Sequence, residues 1–144
     1  MDKITVAVPC YNEEPVLELF FKEITAVAAK MPQVEFEFLF IDDGSWDGTL
    51  PKILELSERD SRVKYISFSR NFGKEAGIYA GLENASGDYV VIMDADLQDP
   101  PALLPEMYRA VTEEDYDCVG SRRVTRKGEP PIRSFFARMF YRII

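Results

Sequence analysis

Residues 89–99 read YVVIMDADLQD, an apolar run that turns acidic within one residue. β-Branched and aromatic residues without a polar break, from Tyr89 to Met93, are typical of a strand that is covered on both faces. Strands of this kind occur in parallel sheets that have helices on either side. The run therefore predicts a buried parallel strand whose carboxyl end, at Asp94, opens onto a polar edge.

The rest of the chain alternates short β-rich runs with helical periodicity. Strands are predicted at residues 4–9, 36–41, 63–68, 89–93 and 116–119, and helices from Pro15 through Val27, through Leu50, Ile53 and Leu54, over 74–85, and from Pro100 or Pro101 to about Val111. The order βαβαβαβαβ predicts an α/β fold, in which a mostly parallel sheet lies between two layers of helices. A chain of 144 residues is expected to form one domain.

The composition excludes several classes of protein. The chain contains no histidine, which excludes a Ser-His-Asp triad, an imidazole base and a His-ligated zinc. The net charge of −8 argues against nucleic-acid binding, which requires clustered Lys and Arg. Cys10 and Cys118 lie in apolar runs, which predicts buried free thiols and a reduced compartment. No run reaches the roughly 20 apolar residues that span a bilayer.

Charge is divided unequally along the chain. Residues 1–118 hold 10 basic and 24 acidic side chains, whereas residues 119–144 hold 7 basic and 1 acidic. Within the basic part, residues 132–144 place apolar side chains at helical spacing, with Arg138 and Arg142 on the opposite side. This basic amphipathic helix has three interpretations: core packing, an oligomer contact, or a helix that lies in the membrane interface.

Polar residues follow each predicted strand. In open α/β sheets the ligand crevice lies beyond the carboxyl ends of the strands. The five polar groups are YNEE (11–14), DDGS (42–45), SRN (69–71), DAD (94–96) and GSR (120–122). Their positions predict a functional site along this edge of the sheet.

The acidic pair Asp94 and Asp96 is the strongest single feature. Mg²⁺ and Mn²⁺ prefer oxygen ligands and commonly share their coordination shell between carboxylates, water and substrate phosphates. The two carboxylates, with Gln98 close enough to add an amide oxygen, can hold such an ion against a diphosphate. A solvated acidic loop is the alternative interpretation, and the position directly after an apolar strand favours the metal site.

Two further loops allow both a structural and a binding interpretation. Residues 42–45 have the composition of a turn, yet Asp42, as the last residue of its strand, can accept a hydrogen bond from a nucleobase. Tyr11 and Glu13 can simply begin a helix, or they can supply a ring that stacks on a base and an acceptor beside it.

Five motifs together resemble a known family. They are VPCYNEE (8–14), IDDGSWDGT (41–49), SRNFGKEAGI (69–78), MDADLQDPP (93–101) and GSR (120–122). In this order they resemble the inverting family 2 glycosyltransferases of the GT-A fold, a Rossmann-like three-layer αβα domain. The DADLQDPP run and the arginines after residue 120 are similar to the polyprenyl-phosphate glycosyltransferases, which include dolichol-phosphate mannose synthases and bactoprenol glucosyltransferases.

The resemblance implies roles for individual residues. For the nucleotide it implies Pro9, Tyr11, Glu13, Asp42, Lys74 and Asp94, with Asp43 as a neighbour; for Mg²⁺ or Mn²⁺ it implies Asp94, Asp96 and Gln98; for the acceptor phosphate it implies Arg122, Arg133 and Ser134. It further implies that Asp96, Arg122 and Arg133 take part in catalysis.

The implied activity is transfer of a hexose from a UDP- or GDP-linked sugar to a polyprenyl phosphate, with inversion of the anomeric centre. A lipid phosphate is already ionised and needs no strong base, in agreement with the absence of histidine. A hydroxyl acceptor on a glycan or protein is the first alternative. It would need a carboxylate base, and the nearby Asp99 is expected instead to cap the helix at Pro100 or Pro101. A non-catalytic nucleotide-binding domain is the second alternative.

The resemblance also implies a division of the chain and a location. We expect a GT-A nucleotide-sugar-binding catalytic domain over residues 1–131 and the start of the basic amphipathic helix over 132–144, at the cytoplasmic face of a membrane. Members of the family continue past this length, so we expect a truncated chain that holds the donor half and can lack turnover. Homo-oligomer formation stays open.

Overall fold

The structure, a computed structural model, describes residues 1–114 and 116–121. Strands and helices alternate along these residues, which confirms the prediction as far as the fourth helix. The strands are β1 (Asp2–Cys10), β2 (Val34–Asp42), β3 (Val63–Ser67) and β4 (Tyr89–Ile92). The helices are α1 (Glu14–Ala28), α2 (Thr49–Arg59), α3 (Lys74–Asn84) and α4 (Leu104–Glu113), the last preceded by a 3₁₀ turn at Pro101–Leu103.

The strands form one parallel sheet in the order β3-β2-β1-β4. β1 pairs with β2 along its whole length and ends with Cys10 beside Asp42. β4 lies on the other side of β1, where Ala7 is beside Ile92. Since all strands run in the same direction, the residues that follow β1, β2 and β4 meet at one edge of the sheet.

Helices α1, α2 and α4 cover one face of the sheet, and the larger core cluster lies between these helices and the strands. Phe20 and Phe21 of α1 pack edge-on against Phe40 and Phe38 of β2, with ring centroids 6.3 and 5.7 Å apart. These rings are almost completely excluded from water. Each buried side chain of this size stabilises the fold by about 1.5–3 kcal/mol, so this face anchors α1 to the sheet.

Helix α3 covers the opposite face at close range. Its buried residues are Gly77 and Gly81. A Cβ at Gly81 would lie 3.0 Å from the Cβ of Ala7, and one at Gly77 would lie 3.3 Å from the Cβ of Pro9. The two glycines therefore let the α3 backbone lie directly on β1. This packing sets the N-terminus of α3 beside the carboxyl end of the sheet and completes the three layers.

A buried carboxylate on the α3 side joins β1, β2 and the segment before β4. Glu37 accepts hydrogen bonds from Thr5 Oγ1 at 2.9 Å and from the backbone N–H and hydroxyl of Ser86 at 3.1 and 2.6 Å. Lys3 Nζ lies 3.5 Å from the same carboxylate. Burial alone would raise the pKa of Glu37, but these donors and the Lys3 charge outweigh burial and hold that pKa below its usual value.

The strand predicted at residues 116–119 and the burial expected for β4 are wrong, whereas the position of β4 agrees with the prediction. In the described part of the chain, residues 116–119 form no fifth strand. They stand away from β4 across a cavity of about 500 Å³ that both segments line. Among the described residues β4 pairs only with β1 and is the edge of the sheet, and its Val90 is 38% exposed rather than buried. Cys118 is exposed for the same reason, whereas Cys10 is buried as predicted.

The predicted helix cap at Asp99 is also wrong. The 3₁₀ turn that begins at Pro101 has no side-chain cap. Pro101 has no N–H to be capped, and the N–H of Leu103 donates to the Pro100 carbonyl at 3.1 Å. Asp99 Oδ1 instead accepts a long hydrogen bond, 3.4 Å, from the Ser121 hydroxyl.

The amphipathic helix predicted at residues 132–144 and the boundary predicted at residue 131 lie outside the described residues. Among the helices that the structure does describe, none has the length and apolar character that crossing a membrane requires.

We expect Glu37→Gln to lower the free energy of unfolding by about 1–3 kcal/mol near neutral pH, because an amide cannot accept every hydrogen bond from Thr5 and Ser86. The folded-state pKa of Glu37 is depressed, so its stabilisation is complete above the unfolded-state pKa and is lost as pH falls through the folded-state pKa. The difference from wild type should shrink below about pH 4.

Urea unfolding between about pH 7 and pH 3 measures this difference. Glu35→Gln, at an exposed position of the same strand, is the matched control and should change little at any pH. A Glu37→Gln difference that stays constant over this range would contradict the assignment.

Candidate functional site

A cavity of about 390 Å³ lies where the residues after β1, β2 and β4 meet the N-terminus of α3. Four of the five predicted polar groups contribute to its wall, which confirms that the strand ends converge. The wall is formed by Pro9, Cys10, Tyr11, Glu13, Asp43, Asn71, Gly73, Lys74, Gly77, Asp94 and Asp96.

The larger cavity beside β4 has a different chemistry. Its lining is chiefly apolar and comes from β4 and α4, with residues such as Val91, Leu104 and Met107. The smaller cavity instead brings the Lys74 ammonium group among four carboxylates and beside the Tyr11 ring. The smaller cavity is therefore the candidate functional site, although it is not the largest one.

Two loops in the cavity wall hold each other in place. Asn12 has φ 54°, a left-handed conformation that asparagine tolerates. Its backbone N–H donates to Ser45 Oγ at 3.0 Å, and its side-chain oxygen accepts from the Trp46 N–H at 3.1 Å. The loop after β1 is thereby fixed to the loop before α2, and the Tyr11 ring next to Asn12 remains 45% exposed.

Asp43 fixes the loop that enters α3. Its carboxylate accepts hydrogen bonds from the Phe72 N–H at 2.6 Å, the Gly73 N–H at 3.0 Å and Asn71 Nδ2 at 3.1 Å. Asp43 is only 4% exposed, so these donors replace the water that a buried carboxylate would otherwise lack. The loop conformation before Lys74 consequently depends on this one carboxylate.

Gly44 permits the approach of these two loops. It has φ +66°, and a Cβ at this position would lie 2.2 Å from the carbonyl carbon of Arg70 and 2.5 Å from the nitrogen of Asn71. Both the left-handed backbone and the close contact exclude larger residues. The glycine of the DDGS turn therefore serves the contact with the α3 loop.

The acidic side of the cavity belongs to the loop after β4. Lys74 Nζ, on the first residue of α3, donates to Asp94 Oδ2 at 2.7 Å. Asp96 is exposed, and its Oδ1 accepts from the Gln98 N–H at 3.1 Å. Leu97 between them has φ 59°, a left-handed conformation that costs roughly 1–2 kcal/mol for such a residue. In this conformation the chain turns back at Leu97, so that the Gln98 N–H reaches the Asp96 carboxylate.

Negative charge dominates the cavity. Partial burial raises the pKa of Glu13, and the nearby charges of Asp96 and Asp94 raise it further. The hydrogen bond to Asp94 raises the pKa of Lys74, and the charges of Asp96 and Asp99 act in the same direction. The cavity therefore favours a further positive charge in addition to Lys74.

The donor set of Asp94 and Asp96 suits Mg²⁺ or Mn²⁺, because it consists of carboxylate oxygens. Across residues 1–114 and 116–121, no group of three or more Asp, Glu and Cys side chains is arranged to hold an ion. Two carboxylates are, however, an ordinary protein contribution to an ion that takes its other ligands from water and substrate phosphates. The residues present therefore fit an ion that is shared with a phosphorylated ligand.

The structure brings most of the predicted nucleotide and metal residues together, but not Asp42. The Asp42 carboxylate is 1% exposed and accepts hydrogen bonds from the Ser45 N–H at 3.3 Å and Ser67 Oγ at 3.5 Å. Asp43 lines the cavity in its place, so a nucleobase contact of Asp42 does not follow from this geometry. Gln98 is exposed and outside the cavity wall, and its role as a metal ligand stays a prediction.

Arg122, Arg133 and Ser134, predicted for the acceptor phosphate, lie outside the described residues. Conversely, sequence reasoning gave Asn71 no role of its own, although it lines the cavity and donates to both the carboxylate and the main-chain oxygen of Asp43. The available signal was Gly44, which follows Asp42 and Asp43, because a glycine in this turn indicates that another backbone segment approaches it.

The glycosyl transferase family 2 pattern matches residues 5–142. The chain belongs to this family. A bactoprenol glucosyl transferase of Shigella phage SfV is 38% identical to this chain over 141 residues, which cover 98% of this chain and 45% of the phage protein. The chain spans less than half the length of the curated relatives that it matches first.

Solved structures share the fold of this chain. The mannosyltransferase PcManGT from Pyrobaculum calidifontis, in complex with GDP-Man and Mn²⁺, aligns with a TM-score of 0.67 at 26% identity, over 78% of this chain and 33% of its own. TarS 1-349 of S. aureus, in complex with UDP-GlcNAc, aligns with a TM-score of 0.51 at 28% identity, over 75% and 32%. The predicted GT-A fold, a three-layer αβα domain with a parallel sheet, is confirmed.

We expect Asp43→Asn to loosen the loop before α3. An asparagine amide can accept through its single oxygen only, so at least one of the Phe72 and Gly73 N–H groups loses its acceptor. Amide hydrogen exchange at Phe72 and Gly73 should become faster, and the free energy of unfolding should fall by about 1–3 kcal/mol. Exchange measured by NMR on wild type and on Glu35→Gln, an exposed carboxylate-to-amide control, gives the reference; unchanged protection at both amides would refute the role of Asp43.

Proposed function

We propose that the chain binds a nucleoside diphosphate sugar, linked to UDP or GDP, in this cavity together with Mg²⁺ or Mn²⁺. We further propose that it supplies the donor side of a hexosyltransferase whose acceptor is a polyprenyl phosphate. One observation supports this most strongly: Tyr11, Lys74, Asp94 and Asp96 line a single cavity although they come from three separate segments of the chain, two loops and the start of α3. A base, a diphosphate and a metal ion require these groups.

The nucleoside end of the donor fits the wall formed by the loop after β1. The exposed ring of Tyr11 can stack on a base beside Pro9, and the carboxylate of Glu13 can accept from a base N–H or a ribose hydroxyl. Asp43 already accepts from three donors, which leaves its carboxylate little capacity for a ligand. We therefore assign Asp43 to the loop and not to the base.

The diphosphate fits between α3 and the loop after β4. The N-terminus of α3 has no side-chain cap, so its first N–H groups and the helix dipole favour an anion there. Lys74 adds a positive charge at this point, and Asp94 and Asp96 lie on the other side. A bound divalent ion would stabilise the negative charge that develops on the departing nucleoside diphosphate.

A phosphate acceptor agrees with the residues of the chain. Its anionic oxygen can form the new bond to the anomeric carbon while the bond to the nucleoside diphosphate oxygen breaks on the opposite face, which inverts the centre. No proton has to be removed, and the chain has no histidine to remove one. The similarity to a protein named bactoprenol glucosyl transferase supports the same acceptor class.

The acceptor phosphate would contact Arg122, Arg133 and Ser134, since arginine forms paired hydrogen bonds with phosphate oxygens. The excess of 7 basic over 1 acidic side chain in residues 119–144 supports an approach to an anionic lipid surface. We accordingly place the chain at the cytoplasmic face of a membrane, where a polyprenyl phosphate and a soluble nucleotide sugar can meet.

We expect Asp96→Asn to weaken the metal-dependent part of nucleotide binding. In calorimetric titrations with UDP-glucose and GDP-mannose, Mn²⁺ should tighten wild-type binding of the correct donor. Asp96→Asn should lose at least about tenfold of that gain, because one charged ligand contributes roughly 1.5–3 kcal/mol. Asp117→Asn, outside the cavity wall, is the control. Nucleotide affinity that ignores both Mn²⁺ and Asp96→Asn would contradict the metal-diphosphate arrangement.

We expect any radiolabelled sugar that the chain transfers to appear on undecaprenyl phosphate and not on oligosaccharides, because only the phosphate acceptor arrives ionised. The measurement compares both acceptors with the same chain and donor. Transfer to oligosaccharide would instead indicate a hydroxyl acceptor. Tight, Mn²⁺-dependent nucleotide binding without transfer to either would indicate a nucleotide-binding domain without turnover.

A further inference from the structure

The contact between Lys74 and Asp94 involves one of the two carboxylates that we propose for the divalent ion. Lys74 Nζ lies 2.7 Å from Asp94 Oδ2, and the two side chains are 57% and 35% exposed. Both residues line the candidate cavity. The ammonium group at this distance already uses one oxygen of a carboxylate that the proposed function assigns to the ion.

The position of Lys74 is unusual for a lysine. It is the first residue of α3, where the positive end of the helix dipole disfavours a cation. A flexible loop does not account for the position of the lysine, because the Asp43 carboxylate accepts hydrogen bonds from the Phe72 and Gly73 N–H groups just before it. The hydrogen bond to Asp94 instead stabilises the ammonium group at this place.

We propose that Lys74 is a built-in counter-cation that competes with the divalent ion for Asp94 until a nucleoside diphosphate arrives. The inference rests on the proposed function of the cavity. The diphosphate offers anionic oxygens to the ammonium group, which then leaves Asp94 Oδ2 to the ion. Metal and nucleotide binding are thereby coupled, and the coupling is the same in both directions.

Electrostatics gives the reason for the competition. A divalent ion on Asp94 and Asp96 with the ammonium group still in place would bring two cations within a few ångströms of each other, where they repel strongly in a partly buried site. Diphosphate oxygens between the two cations reverse the sign of that interaction. The free chain should therefore bind a divalent ion weakly, although its cavity is rich in carboxylates.

The test measures Mn²⁺ binding without any sugar transfer. Electron paramagnetic resonance of free Mn²⁺ gives its dissociation constant for wild type and Lys74→Met, each alone and with UDP or GDP. Lys74→Met should bind Mn²⁺ alone at least about fivefold more tightly, the lower end of ordinary coupling between ligands. Nucleotide should then enhance Mn²⁺ binding less in Lys74→Met than in wild type.

Arg70→Gln is the matched control. It removes a positive charge from the same loop, and the Arg70 guanidinium lies over the Phe72 ring at 4.6 Å rather than on an acid. If Arg70→Gln tightens Mn²⁺ as much as Lys74→Met does, net charge explains the effect and the inference is overturned. Unchanged or weaker Mn²⁺ binding by a folded Lys74→Met chain, checked by its thermal melt, also overturns it. Failure of wild type to bind Mn²⁺ with either nucleotide would instead contradict the proposed function.

Discussion

The parallel pairing of β1 with both β2 and β4 is the constraint on which the rest of the structure depends. It places Cys10 beside Asp42 and brings the loop after β4 to the same edge. Chain segments that are far apart in sequence therefore share one cavity. The packing of α3 depends on the same sheet, because Gly81 of α3 lies against Ala7 of β1. This contact sets the position of the helix along the sheet and therefore the position of Lys74 at its N-terminus.

Buried carboxylates convert this arrangement into a defined site. Asp43 accepts hydrogen bonds from two backbone N–H groups before α3, and Glu37 accepts one from the backbone N–H of Ser86 before β4. Each carboxylate is stabilised by donors that a flexible loop would not supply, so each one also orders its loop. Asp94 is partly exposed and Asp96 is exposed, so both carboxylates are accessible to a ligand. The Lys74 ammonium group neutralises part of their negative charge.

The sequence indicated the fold wherever local periodicity decides the outcome, and it placed Asp94 and Asp96 correctly at a strand end. It named Asp42 for the nucleobase contact, whereas Asp43 is the residue that lines the cavity. Which of the two carboxylates lines the cavity depends on the path of a loop that lies 28–30 residues after Asp43 in the sequence and whose donors pair with Asp43. The strand predicted at residues 116–119 failed for a related reason: strand formation requires a partner edge at the right distance, and a mostly apolar run of four residues carries no information about that distance.

A crystal structure of the chain with Mn²⁺ and the nucleotide that binds more tightly tests the central claim most directly. The account predicts the diphosphate between Lys74 and the loop after β4, with the ion on Asp94 and Asp96 and the Lys74 ammonium moved from Asp94 to a phosphate oxygen. A nucleotide in the larger cavity between β4 and residues 117–121, or an ion bound away from both carboxylates, would contradict it.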